Sequence, residues 1–198
     1  TEIYIKIIED YLDKEMQVLY LLPEISLTTQ IIQKLKIHFG DKISVFHSRY
    51  SLNERTEVWE NIKKNQNKSR LIVGARSSVF LPFQNLGLIM IDEEHEISYK
   101  QQEPSPRYNA RDYAIYLSKL NNPKVILGSA TPSIESSFNA KNNKYGYVKL
   151  KERFGKIEMQ NIFTIDMKNE LKHEYRSIFS RRLVEDVEKT IKEGKNVI

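Results

Sequence analysis

The chain has 198 residues, about 1.3 domains at roughly 150 residues each, with 40% hydrophobic and 29% charged residues, which excludes a disordered tract. No apolar run reaches the roughly 18 residues needed to cross a bilayer, and the lack of cysteine excludes disulfides, thiolate metal sites and a thiol nucleophile within this sequence. The net charge of +5 is uneven: residues 1–100 carry 13 basic and 14 acidic groups and residues 101–198 carry 18 and 12, so the second half suits either a polyanion such as nucleic acid or an ordinary solvated surface.

Ile3, Ile7, Ile8, Tyr11 and Leu12 recur at helical spacing, so a helix is expected from Glu2. Gln17 to Leu22 is an apolar run stopped by Pro23, the pattern of a buried strand. A helix is expected over 27–39, ended by Gly40, and a β-branched strand over 42–47. Ser51 with Glu54 three residues on predicts a capping box for a helix running to Lys64, with Trp59 partly buried on it. Strands are expected over 70–73, 86–91 and 124–127, and helices over 109–120 and 133–140. Residues 98–108 are polar and aromatic without periodicity and read as a loop. Beyond residue 150 the pattern predicts an edge strand over 162–165 and a helix over 180–193, with Leu183, Val184, Val187 and Ile191 inward. Residues 196–198 read as the start of a further strand. Short apolar strands alternating with helices predict a mostly parallel sheet covered on both faces, a doubly wound α/β layer.

In such a sheet, ligands sit beyond the carboxyl ends of the strands, and three polar clusters fall there. Asp92-Glu93-Glu94-His95 follows the most apolar strand; an Asp then a Glu at that place suits Mg²⁺ on nucleotide phosphates and an oriented water, and equally an acidic turn. Gly128-Ser129-Ala130-Thr131-Pro132 offers hydroxyls to a neighbouring site, or simply a turn in which Thr131 or Ser133 caps the next helix. Leu22 to Thr29 suits backbone phosphates, or N-capping alone. In the 98–108 loop, Tyr99 and Tyr108 have π-faces for bases and Lys100 and Arg107 have charges for phosphates. His38, His47 and His173 have no ligand spacing and read as surface or packing residues.

In order, PEISLT, GARSSVF (74–80), DEEH and GSATP resemble a superfamily 2 helicase. The block DEEHEISYKQQEPSPRYNARDYA, residues 92–114, resembles the primosomal protein N-prime (PriA) family of bacterial replication-restart DNA helicases, as do HSRYSLNER (47–55) and LPF (81–83). The resemblance implies a RecA-like lobe of an ATP-dependent 3′→5′ DNA helicase that reloads replication at stalled forks. It assigns Thr1 and Asp92 to Mg²⁺, with Thr1 and Asp92 also at the nucleotide, and Glu93 as the catalytic base. Glu94, His95, Ser129 and Thr131 would couple hydrolysis to movement, and Glu24, Arg76, Tyr99, Lys100, Gln101, Gln102, Arg107 and Tyr108 would face DNA.

That family's phosphate loop ends in Gly-Lys-Thr before a helix reading like TEVYL, and the present sequence begins TEIYI at the Thr, without an initiator Met or leader pattern and with only 7 glycines. The expectation is a first RecA-like lobe over 1–150, lacking its first strand and phosphate loop, a linker or edge segment over 151–179, and the start of a second lobe over 180–198. Such a piece is expected to be inactive alone. ATP and Mg²⁺ are the expected cofactors, with zinc only in a second-lobe insertion outside this sequence. Expected partners are single-stranded and forked DNA, primosome and single-strand-binding proteins, with no membrane and a cytoplasmic location. The alternatives are a lobe of another superfamily 2 translocase, or a non-catalytic nucleic-acid-binding module of the same fold.

Overall fold

A computed structural model describes residues 2–24, 29–48, 50–150, 161–172 and 177–197. Helix α1 (Glu2–Leu12) leads into strand β1 (Gln17–Leu21), followed by α2 (Thr29–Phe39), β2 (Ile43–Phe46), α3 (Leu52–Lys63) and β3 (Leu71–Gly74). Then come β4 (Leu86–Ile91), α4 (Ala110–Asn121), β5 (Lys124–Leu127) and α5 (Ile134–Lys141). The five strands form one sheet in the order β2-β3-β1-β4-β5, every pairing parallel. The expected alternation of strand and helix is therefore present, with boundaries within a residue or two.

Side chains alternate across a strand, and this sheet is buried on both sides. Val18, Tyr20, Leu22, Leu88 and Met90 face Ile5, Ile8, Leu12, Leu35 and Phe39 from α1 and α2. Leu19, Leu21, Ile72, Ile89 and Ile91 face the other way, against Ile62 of α3 and Ala110 and Ala114 of α4. Both faces need apolar residues, so the strands read as continuous apolar runs. Parallel strands joined by crossovers bring all their carboxyl ends to one edge, where Leu22-Pro23-Glu24, Ala75-Arg76, Asp92-Glu93 and Gly128-Ser129 emerge.

Local chemistry fixes the helix starts. Ser51 Oγ accepts the Glu54 N–H while Glu54 Oε2 accepts the Ser51 N–H at 2.8 Å, the expected capping box. Asn109 and Ser133 cap α4 and α5 in the same way, through the N–H groups of Arg111 and Ser136. Residues 76–80 wind into a 3₁₀ turn that periodicity did not reveal, and Trp59 is partly buried, 37% exposed with Lys63 Nζ over its ring at 4.9 Å.

The described residues group into two compact units, 1–147 and 148–198. In the second, residues 162–165 are not a strand: Ile162 is 89% exposed, and no neighbouring strand supplies ladder hydrogen bonds among the described residues. Asp166 instead starts a short helix, α6 (Met167–Lys172), by accepting the Lys168 N–H. The expected C-terminal helix is α7 (Arg181–Lys192), capped by Ser180. Its apolar stripe is only partly inward: no residue of α7 is fully buried, Val184 and Val187 are half-buried, and Leu183 and Ile191 are 46% and 62% exposed. Residues 195–197 have no regular structure, and Ile198 lies outside the described residues. Thr1, Ile25–Thr28 of the PEISLT segment, Arg49, residues 151–160 and His173 also lie outside them.

Candidate active site and its flanking loop

Strand β4 delivers Asp92 to the carboxyl edge, where three tyrosines meet it. Tyr20, from β1, donates its hydroxyl to Asp92 Oδ2 at 3.0 Å, and Tyr4, from the first turn of α1, donates to Oδ1 at 3.3 Å. Tyr99 donates to the Asp92 carbonyl at 2.7 Å and to the Leu21 carbonyl at 3.1 Å. Burial, and then the adjacent Asp92 charge, push all three phenols up, so they stay protonated donors. The Tyr4 contact also sets the start of α1 beside the end of β4. Asp92 is half-buried, so its carboxylate is fixed yet reachable.

Glu93 takes the left-handed conformation, φ 47°, which costs a non-glycine residue on the order of 1–3 kcal/mol and persists where surrounding contacts hold it. Its N–H donates to Asp92 Oδ1 at 3.1 Å and its carbonyl accepts the Glu96 N–H at 2.8 Å. That turn leaves the Glu93 side chain 45% exposed, 3.6 Å from His95 Nδ1. Both ring nitrogens of His95 meet hydroxyls beyond β5: Nδ1 lies 2.7 Å from Ser129 Oγ and Nε2 lies 3.4 Å from Thr131 Oγ1. Asp92, Glu93, His95, Ser129 and Thr131 thus form one cluster, as expected.

Glu94 points the opposite way, into the protein, and is 3% exposed. It accepts the Ser133 N–H at 2.7 Å, the Ser136 hydroxyl at 2.9 Å, the Ser133 hydroxyl at 3.1 Å and Arg111 Nη1 at 3.1 Å. Burial pushes its carboxyl up, but these donors together outweigh that, and it is held below the usual carboxylate range. Glu94 therefore ties the end of β4 to the starts of α4 and α5. Arg111, Ser136, Tyr4 and Tyr20 were not singled out from the sequence, and Ser133 was read there only as a helix cap. Arg111 lies inside the ARD block, Ser133 directly after GSATP and Tyr4 within TEIYI, whereas Tyr20 and Ser136 lie in no recognisable motif.

The 98–108 loop differs from expectation. Tyr99 is 1% exposed, so it has no face for a base; its two carbonyl partners and the apolar core hold it inside. Gln101 folds onto its own loop, donating Nε2 to the Pro104 and Pro106 carbonyls at 2.7 and 3.0 Å. Arg76 donates Nη1 to the Ser98 and Lys100 carbonyls at 3.3 and 3.4 Å, and Tyr108 packs edge-on against Phe80 at 4.7 Å. Lys100, Gln102 and Arg107 are exposed on this loop, and Glu24 is exposed at the end of β1. Phe80, 49% exposed beside Tyr108 and Tyr113, joins them as an aromatic surface that sequence reading missed.

One carboxylate at a strand end suits Mg²⁺, which keeps several waters and takes one or two protein carboxylates along with phosphate oxygens. Among the described residues no group of three or more His, Cys, Asp or Glu could enclose a metal. Nor is any described helix long and apolar enough to cross a membrane.

Residues 1–138 match the family described as DEAD/DEAH box helicase. Over its full length the chain is 43% identical to the replication restart protein PriA of Bacillus subtilis, 42% to that of Haemophilus influenzae and 39% to that of Chlamydia trachomatis. It spans 24%, 26% and 26% of those proteins, about a quarter of their length. The resemblance to the replication-restart helicases read from residues 92–114 thus extends along the whole chain, on a parallel sheet whose strand ends carry DEEH and GSATP. On the match over residues 1–138, this chain belongs to the DEAD/DEAH box helicase family.

Proposed function

We propose that this chain is a RecA-like motor lobe of an ATP-dependent 3′→5′ DNA helicase that acts at stalled forks and restarts replication. The observation that carries the reading is the cluster at the ends of β4 and β5: Asp92 and Glu93 side by side, with His95 hydrogen-bonded to Ser129 and Thr131. Asp92 would hold Mg²⁺, with Thr1, which lies outside the described residues, as its companion. When bound, the ion neutralises charge on the nucleotide phosphates. The start of α1, beside Asp92, favours that anion through its free N–H groups.

Glu93, exposed and unencumbered by short hydrogen bonds, takes the proton of the attacking water. His95 relays the state of that carboxylate to Ser129 and Thr131, and Glu94 passes it to α4 and α5 through Arg111 and Ser133. DNA lies across the carboxyl edge, against Lys100, Gln102, Arg107 and Glu24, with Arg76, Gln101 and Tyr108 shaping the loop. Tyr99 serves as the buried anchor between that loop and Asp92. The whole protein then takes single-stranded and forked DNA, works with primosome and single-strand-binding proteins, and acts in the cytoplasm; this chain alone does not turn over ATP. Any zinc belongs to a part of the protein outside this sequence.

The test is Glu93→Gln in the full-length protein, with DNA-stimulated ATP hydrolysis and unwinding as readouts. Loss of a positioned base costs about 10²–10⁴-fold, and nucleotide binding should survive. Hydrolysis at the parent rate would remove Glu93 from this role.

A further inference from the structure

We infer that Tyr4 and Tyr20 are positioning residues for the metal-holding carboxylate, a role resting on the reading of Asp92 above. A lone carboxylate at a strand end turns freely about two bonds. Here Oδ2 accepts the Tyr20 hydroxyl at 3.0 Å, and Oδ1 accepts both the Tyr4 hydroxyl at 3.3 Å and the Glu93 N–H at 3.1 Å. Three donors from three segments fix its plane.

The two phenols are themselves locked. Their rings meet edge to face, centroids 5.8 Å apart and planes at 74°. The Tyr20 side chain is fully buried on the sheet face beneath α1. Tyr4 reaches Asp92 only because residue 128 is glycine: a methyl group there would overlap the Tyr4 hydroxyl, while also lying 3.5 Å from Asp92 Oδ1. Gly128 is in turn pinned to β4, its N–H on the Ile91 carbonyl at 2.8 Å and its carbonyl accepting the Glu94 N–H at 3.0 Å. The niche that holds the Tyr4 hydroxyl is thus built from α1, β4 and β5 together. Neither phenol bond is short enough for a strong charge-assisted contact, so the pair orients the carboxylate; with Oδ1 already accepting two donors and Oδ2 one, a lone pair of Oδ2 is left for a metal or its waters. Carboxylates that bind metal are held by outer partners in this way, and loss of such a partner typically lowers metal affinity about 10–100-fold.

The experiment uses the full-length protein and Mn²⁺ as probe, titrated by electron paramagnetic resonance in saturating ADP, for Tyr4→Phe, Tyr20→Phe and the Asp92→Asn control. Phenylalanine preserves both rings and their packing, and thermal melting checks the fold. The expected result is Mn²⁺ binding weakened about tenfold by each Phe variant and abolished by Asp92→Asn, with ATP hydrolysis restored to near the parent kcat at raised Mg²⁺. Abolition by Asp92→Asn with parental Mn²⁺ affinity in both Phe variants overturns the positioning role alone. No effect of Asp92→Asn removes the metal assignment, and this inference with it. A loss of melting temperature and kcat at unchanged Mn²⁺ affinity shows mere packing and likewise overturns it.

Discussion

Arg111→Ala tests the buried junction on which the coupling proposal depends. The Arg111 and Glu94 side chains are 12% and 1% exposed and 3.1 Å apart. Breaking such a pair from one side typically costs about 3–5 kcal/mol, because a charge is left buried without its partner. Glu94 would keep three neutral donors, the Ser133 N–H and the Ser133 and Ser136 hydroxyls, which places the cost at the lower end, about 3 kcal/mol. For a unit of this size that corresponds to a fall in Tm of about 6–12 °C. The assay is thermal and urea unfolding followed by near-ultraviolet circular dichroism, which reports the tyrosines packed around Asp92. Arg111→Lys should fall between parent and Ala, since an ammonium keeps the charge but not the planar fork. The double variant Arg111→Met/Glu94→Gln should recover more than about 1 kcal/mol of the sum of the single losses. A loss below about 1 kcal/mol for Arg111→Ala, or strict additivity in the cycle, would refute the argument that the pair is a mutually dependent buried unit.

Acid sensitivity should follow from the same carboxyl. Its ordinary value is 4.5 and the folded value is lower, so its stabilisation is complete above 4.5 and disappears as the pH falls through the lowered value. Below pH 4.5 the urea midpoint of the parent should therefore drop more steeply than that of Glu94→Gln, and parallel profiles would disprove it. Ser51→Ala removes the side chain that accepts the Glu54 N–H at the start of α3 and should cost about 1 kcal/mol, seen as a Tm lowered by a few degrees; an unchanged Tm would rule the capping box out as a stabilising feature.

Much of the scaffold was legible because its causes are local. Apolar runs between helical stripes reveal strands of a parallel sheet, and Ser51-x-x-Glu54 reveals a helix start, since all the interacting groups lie within a few residues. The strand-end positions of DEEH and GSATP follow directly, because parallel topology sends every strand's carboxyl end to one edge. The 98–108 loop was misjudged for the same reason in reverse. Tyr99 sits among polar neighbours, and nothing local states that its ring is core and its hydroxyl belongs to two carbonyls. The stripe of α7 likewise reads as wholly inward by period alone, whereas burial depends on a second surface and reaches only Val184 and Val187, which are half-buried.

The amino-acid sequence by itself therefore determined the element order, the family and the identity of the acidic cluster, all of which rest on short-range periodicity and ordered motifs. Only the tertiary structure decided how that cluster is held. Tyr4 and Tyr20 reach Asp92 from 88 and 72 residues away, and Glu94 turns inward to Arg111 and two serines while Glu93 turns outward. Neighbouring letters cannot state which of two adjacent glutamates faces solvent. That choice was made by the left-handed turn at residue 93 and by donors brought together from α4 and α5, contacts that exist only once the sheet has closed.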